Sequence, residues 1–266
     1  MAMTEENIQR IAMVIEFDGR PFHGWQKQDN ATSVQDELQR ALAEIDGQPV
    51  KTIAAGRTDA GVHAEAFLLH ADVCTRRWNR SHRAYVHGCN SLLPDTIRVT
   101  GVRAVKEDFH ARFDCLERSY RYQIWNRTTA SALEGWRHWW MPRPLDFDAM
   151  REAAAMCLGE HDFSALRAAN CQASSSVRTI RDICVEQRGH CIAIHISADA
   201  FLYHMVRNLV GNLVAVGVGR FSPKEFSDLL VNGDRSKGAA TAPAWGLYFT
   251  DAVYNDFRAS DLIGRL

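Results

Sequence analysis

The 266-residue sequence has no apolar run near the roughly eighteen residues that a membrane-crossing helix needs, which argues against a membrane span. Its first residues, MAMTEENIQR, carry acids where a secretory signal needs a basic and then an apolar stretch, so the expectation is a cytoplasmic protein. No CxxC pair occurs among the seven cysteines (Cys74, Cys89, Cys115, Cys157, Cys171, Cys184, Cys191), and their number is odd. That pattern argues for reduced thiols rather than a disulfide framework or a zinc knuckle. The eleven histidines form no HExxH and no Cys/His set with ligand spacing, so no metal is expected. A large charge of either sign is also missing: the net charge is −1, and the global field says nothing about a polyanionic partner.

What is present is ordinary in bulk, 46% hydrophobic and 24% charged, long enough for one large domain or two smaller ones. The charge is unevenly spread. Six arginines (76, 77, 80, 83, 98, 103) face the single Asp95 between residues 76 and 103, whereas residues 28–48 hold five acids against Arg40. Such a basic segment is either a solvated face or a phosphate-binding one.

Pattern along the chain predicts a strand over 8–17 and a helix over 32–45, capped by Thr32 or Ser33 and stopped at Gly47. Short strands over 52–55 and 67–73, a helix over 79–89 and strands over 96–105 and 111–126 follow, then a loop containing Trp136, Trp139 and Trp140. Further on, Asp146 caps a helix to Leu158, and strands 176–186 and 191–197 meet at the turn Arg188-Gly189-His190. A largely apolar helix spans 200–216, the capping box Ser222-Pro223-Lys224-Glu225 opens another, and 246–254 is a last strand. Strands followed by helices in both halves imply an α+β protein with two sheets or one extended sheet.

Four places could carry chemistry. In Ala54-Ala55-Gly56-Arg57-Thr58-Asp59-Ala60-Gly61-Val62-His63-Ala64, Arg57 and Asp59 lie two apart between glycines. A guanidinium near a carboxylate favours the ionised form that a nucleophile or base needs, but an aspartate also braces turns through its own backbone. Tyr120 and Tyr122 alternate on a strand flanked by Arg118 and Arg121; rings among guanidinium groups suit base stacking, or are core. On the apolar helix, His204 and Arg207 are three apart; a buried Arg207 needs a carboxylate or an anionic ligand, and Asp59 is a candidate. The loop Phe22-His23-Gly24-Trp25-Gln26-Lys27-Gln28 either contacts single-stranded or looped nucleic acid or simply packs.

Read together, these segments resemble the TruA family of tRNA pseudouridine synthases. The resemblance rests on Phe17-Asp18-Gly19 with His23-Gly24-Trp25-Gln26, on residues 55–64, on Phe109-His110-Ala111-Arg112-Phe113 with Arg118-Ser119-Tyr120-Arg121-Tyr122, on Gly159-Glu160-His161-Asp162-Phe163, on 201–208 and on 242–247, all in order. The sequence departs from the family pattern at Phe67, where a glutamine is usual, at Ala71, where an aromatic is usual, and at Tyr203, where a second histidine is common. The resemblance implies two similar α+β halves, residues 1–109 with the aspartate turn and 110–266 with the tyrosine strand and arginine helix, forming a continuous, mainly antiparallel sheet flanked by helices around a central cleft. It implies Asp59 as the catalytic aspartate, Tyr120 as the tyrosine stacking on the target uridine, Arg57 as the arginine linked to base displacement, and Arg207 as a basic partner of the aspartate. It further implies isomerisation of uridines 38 to 40 in the tRNA anticodon stem-loop, by a homodimer with no metal or organic cofactor. A protein of the same fold that only binds and folds tRNA is the alternative, and its mark would be loss of the aspartate.

Overall fold

The computed structural model describes residues 8–169 and 171–265. In chain order its elements are β1 (Ile8–Phe17), α1 (Val34–Asp46), β2 (Thr52–Ala54), β3 (His63–Cys74), α2 (Thr75–Arg80), α3 (Ala84–Leu92), β4 (Ile97–Ala104) and β5 (Glu117–Asn126). Then come β6 (Trp139–Met141), α4 (Phe147–Ala155), β7 (Gly159–Asp162), β8 (Val177–Arg188), β9 (Cys191–Ala198), α5 (Met205–Gly217), α6 (Pro223–Asn232) and β10 (Leu247–Val253). The fold is α+β, a mixed sheet flanked by helices, and the chain divides into two compact units: Met1–Arg118 with Phe249–Leu266, and Ser119–Tyr248.

In the first unit the strands run in the order β4-β1-β3-β10, with β2 on β3. β1 lies between two antiparallel partners, pairing Ile11 with Ala71 of β3 and with Ala104 of β4. That central position explains why Ile11-Ala12-Met13-Val14-Ile15 is apolar without alternation: all five side chains are fully buried. α1 turns Val34, Leu38, Ala41 and Leu42 inward; Ser33 caps it by accepting from the Asp36 N–H, and Gly47 closes it in the left-handed region at φ 71°. At its end the buried Asp46 carboxylate accepts from the Tyr85 hydroxyl (2.6 Å) and the Cys74 N–H (2.9 Å), tying α1 to α3 and β3. Burial first, and then Asp46, raise the Tyr85 pKa well above the ordinary phenol value. Phe67 is fully buried among Phe17, Trp25 and Phe249, at ring separations of 5.5, 4.8 and 5.0 Å. The departure from glutamine at this position is therefore a packing one: an amide here would need partners that a cluster of rings does not offer.

In the second unit the order is β5-β9-β8-β7, with β6 parallel to β5. β8 and β9 form a hairpin across Gly189, which sits at φ 60°, with Arg188 opposite Cys191. α5 is buried along nearly its whole length, with α4 and α6 against it. Its two buried amides are structural. Asn208 donates to the Leu166 carbonyl (2.7 Å) and accepts from the Thr241 hydroxyl (2.6 Å) and Arg235 (3.0 Å), while Asn212 accepts from the Ala239 N–H (2.9 Å).

Several boundaries differ from the sequence reading. The helix placed at 79–89 is two, α2 and α3, because Ser81 is extended (φ −166°, ψ 91°). The apolar helix starts at Met205, not Ala200: His204 takes φ 61° and ends the approach, so it shares no helical face with Arg207. β5 starts six residues later than 111, since the preceding residues form a tied loop. Part of the tryptophan loop, Trp139–Met141, is a strand. The final strand, read with the second half, places Phe249 on Phe67 in the first unit. All seven cysteines are free thiols, and burial pushes those of Cys89 and Cys157 up to about 12.

Candidate active site

The Arg57–Asp59 turn hangs between β2 and β3 and is held mostly by backbone. The Ala55 N–H donates to Leu68 O (2.8 Å), the Val62 N–H to Asp59 O (3.2 Å) and the Trp25 N–H to Thr58 O (3.2 Å). Gly61 adopts φ 80°, so this glycine serves the turn's own conformation. Gly56 is different: a Cβ there would meet only the Phe249 ring edge, at 3.9 Å. Arg57 is exposed, and no ion pair or hydrogen bond engages its guanidinium among the described residues, while Asp59 is half-buried.

The loop from Phe22 to Gln28 braces this turn. Phe22 and Trp25 are core residues at 5% and 2% exposure, so they are unavailable for nucleic acid. Gly24 lies at φ 91°, and a Cβ on it would stand 2.5 Å from Thr58 O. The Gln35 amide locks the loop in place, accepting from Gln26 and the Lys27 N–H (both 3.0 Å) and donating to Thr52 O (3.0 Å). His63, buried at the start of β3, has its Nδ1 3.2 Å from both the Gly19 N–H nitrogen and the Asp18 carboxylate, a structural role for this ring.

A second loop, residues 109–116, is fastened to the same turn. The Arg118 guanidinium donates to Ala55 O (3.0 Å), Arg112 O (2.6 Å) and Cys115 O (2.9 Å). Tyr254 donates to Ala111 O (2.7 Å), and the Ala111 N–H donates to Nδ1 of His70 (3.0 Å). The sequence reading missed both His70 and this use of Arg118; the motif Phe109–Phe113 marked the loop without showing what fastens it. Burial, reinforced by the charge of Arg10 and by His110, lowers the His70 pKa to about 4. The fold thus favours the neutral ring, so this stability is full above the unfolded value of about 6.5 and is lost as pH falls toward 4. The expected loss between pH 7 and 4.5 is about 2 kcal/mol, read by denaturant unfolding at the two pH values. His70→Asn keeps an acceptor but cannot titrate, and should flatten that window; an unchanged slope in the variant would assign the pH effect elsewhere.

In the second unit the two tyrosines of β5 separate in role. Tyr122 is fully buried, its hydroxyl donating to Pro243 O (2.8 Å), and burial raises its pKa. Tyr120 is half-exposed with its ring edge-on to Phe201 at 5.0 Å and 85°, so only Tyr120 can present a ring to a ligand. Arg121 instead lies over the Tyr248 ring at 5.0 Å. Arg207, in the first turn of α5, is half-buried and donates from Nε to Ala242 O (2.8 Å), while the Ala242 N–H donates back to Arg207 O (3.1 Å). That exchange fixes the guanidinium stem against the segment 242–247.

Among the described residues no group of three or more His, Cys, Asp or Glu side chains is placed to hold a metal, and no helix is long and apolar enough to cross a membrane. Of the predicted site residues, the first unit holds Arg57, exposed, and Asp59, half-buried, and the second unit holds Tyr120 and Arg207, both half-buried. The family described as tRNA pseudouridine synthase matches residues 13–114 and 153–255, spanning Arg57, Asp59 and Arg207 and leaving Tyr120 between the two stretches. The chain is 44% identical over 245 residues to tRNA pseudouridine synthase A of Methylococcus capsulatus, covering 92% of this chain and 89% of that protein. It is 47% identical over 249 residues to the protein of the same name from Dechloromonas aromatica, covering 92% of each. For the Rhodospirillum centenum protein the figures are 44% over 247 residues, 93% of this chain and all of that one. Matches of this extent run through the core strands as well as the aspartate turn, and the chain belongs to the tRNA pseudouridine synthase family.

Proposed function

We propose that this chain converts uridine to pseudouridine at positions 38, 39 and 40 of the tRNA anticodon stem-loop, acting in the cytoplasm as a homodimer without metal or organic cofactor. Asp59 is the catalytic carboxylate, and Arg57, Tyr120 and Arg207 bind the substrate. The observation that carries this reading is the turn itself: a half-buried carboxylate two residues from an exposed guanidinium without an ion pair, in a chain of this family.

The reaction breaks the N1–C1′ bond, turns the base, joins C5 to C1′, and moves one proton from C5 to solvent while N1 gains one. Bond cleavage develops oxocarbenium character at C1′, which a carboxylate stabilises or traps, as in glycoside hydrolysis. Removal of the C2′ proton by the same carboxylate, giving a glycal, is a second route through the same residue. A uridine within a stem must leave its stack at a cost of a few kcal/mol, and a guanidinium entering behind it together with a ring against it offset that. Tyr120 also stands as a group to remove the C5 proton, directly or through water.

Incubation with tRNA transcripts tritiated at uridine C5 tests the reading. Wild type is expected to release label, with the product mapping to positions 38–40. Binding without release would favour the catalytically silent alternative, and neither binding nor release would end the tRNA reading. Tyr120→Phe keeps the ring and removes only the hydroxyl, so tRNA affinity should stay within about threefold while turnover falls on the order of 100-fold. Unchanged turnover would remove the hydroxyl from the chemistry.

A further inference from the structure

Phe113 is 76% exposed, in a loop where Ala111 and Cys115 are buried and Leu116 is 41% exposed. Single exposed apolar residues are common on proteins. This one is set apart by how it is held. The His110 ring stacks on one face of Phe113, 4.2 Å away at 24°, and its Nδ1 accepts from the Arg112 and Phe113 N–H groups (3.2 and 3.1 Å). The Asp114 carboxylate accepts from the main-chain N–H of His110 (2.7 Å), and Arg118 donates to the Arg112 carbonyl (2.6 Å). The same Arg118 guanidinium bonds the Ala55 carbonyl, two residues before Arg57, so the platform and the Asp59 turn share one clamp. The Arg112 guanidinium lies 5.9 Å from the Phe113 ring centre, is exposed, and has no ion pair among the described residues.

A rigid exposed ring next to an unpaired cation is the pairing that recognises a nucleobase and its phosphate, the base by stacking and the phosphate by charge. A protein partner would more naturally seat such a ring in a wider apolar patch; here the rim carries Arg112 and Asp114. We propose that Phe113 is a stacking platform for the tRNA base that loses its neighbour when the target uridine leaves the stem, with Arg112 facing the adjoining phosphate. The inference rests on the isomerase reading above. It adds a substrate-binding residue that acts on binding and positioning rather than on the reacting atoms.

The test uses the full chain with Phe113→Leu, which keeps apolar bulk but has no π-face, and Phe113→Trp, which restores one. Steady-state tritium release is paired with 2-aminopurine fluorescence in anticodon stem-loops labelled on either side of the target uridine. Phe113→Leu should raise KM on the order of 10- to 100-fold with kcat little changed, and should lose the quenching seen with wild type in at least one labelled RNA. Phe113→Trp should recover both. Wild-type KM and quenching in Phe113→Leu would overturn the proposal, as would a loss shared by Phe113→Trp or a change of oligomeric state with RNA quenching intact, which would make the ring a packing or protein-contact residue. Failure of the wild type to release label is a different result, and it would remove the isomerase reading beneath the proposal.

Discussion

Asp59→Asn should lower tritium release from C5-labelled tRNA by ~10⁴-fold or more, with tRNA affinity within about threefold of wild type. The amide preserves shape and much of the local hydrogen bonding but has no negative charge to place against a developing oxocarbenium ion, and no basicity to take a C2′ proton. The variant is expected to fold, because the turn is held chiefly by main-chain bonds from Ala55, Val62 and Trp25. Asp59→Glu probes position separately from charge. Its carboxylate moves by about one bond length, and since misplacement of about 1 Å costs on the order of 100-fold, it should fall between wild type and Asp59→Asn. Thermal unfolding on each variant separates lost chemistry from lost structure. Turnover in Asp59→Asn within tenfold of wild type would place the chemistry on another group.

The second large effect is steric. Gly19→Ala should destabilise the protein by about 3 kcal/mol or more and lower its melting temperature on the order of 10 °C. A Cβ on Gly19 would lie 1.9 Å from the Val62 carbonyl oxygen, 2.5 Å from its carbon and 3.0 Å from the Gly61 carbonyl carbon. These are backbone atoms, so no rotamer change can relieve the overlap. The chain at 61–62 must move, and it is bonded to Asp59 through the Val62 N–H. Activity should therefore fall further than the folded fraction alone accounts for. Gly56→Ala is the internal comparison: it lies nearer Asp59 in sequence, but its added methyl meets only a ring edge at 3.9 Å, and it should cost under about 1 kcal/mol in stability. A Gly19→Ala melting temperature within about 2 °C of wild type would show that the turn yields easily.

Much of this protein is legible without coordinates because the signals are local. The β1 span, the Ser33 and Asp146 caps, the Gly47 stop and the capping box at Ser222 are carried by the chemistry of a few adjacent residues, and each stands where the sequence puts it. The Arg57–Asp59 turn is legible for the same reason. Whether it braces or catalyses is not a local property: the resemblance that implies a catalytic Asp59 rests on ordered matches elsewhere in the chain, which residue chemistry alone does not supply. Where local reading failed, long-range contacts had taken over. Residues 200–204 have helical composition, yet His204 enters the left-handed region and delays α5. The aromatic loop at 22–25 looks like a nucleic-acid surface, yet its rings fill the core beneath the Thr58 carbonyl.

The sequence by itself determined the α+β class, the reduced cysteines as an expectation, the family and the aspartate turn, since each depends on periodicity, composition or residues close in the chain. Tertiary structure alone decided which of two alternating tyrosines is available. Tyr120 and Tyr122 point the same way on β5, but only Tyr122 meets the Pro243 carbonyl and is sealed by it. It also decided that Arg118, 61 residues beyond Arg57, clamps the turn and the Phe113 loop together, and that His70 is neutral. Those properties belong to pairs of residues far apart in sequence, and burial and hydrogen-bond geometry exist only once the chain has brought the pairs together.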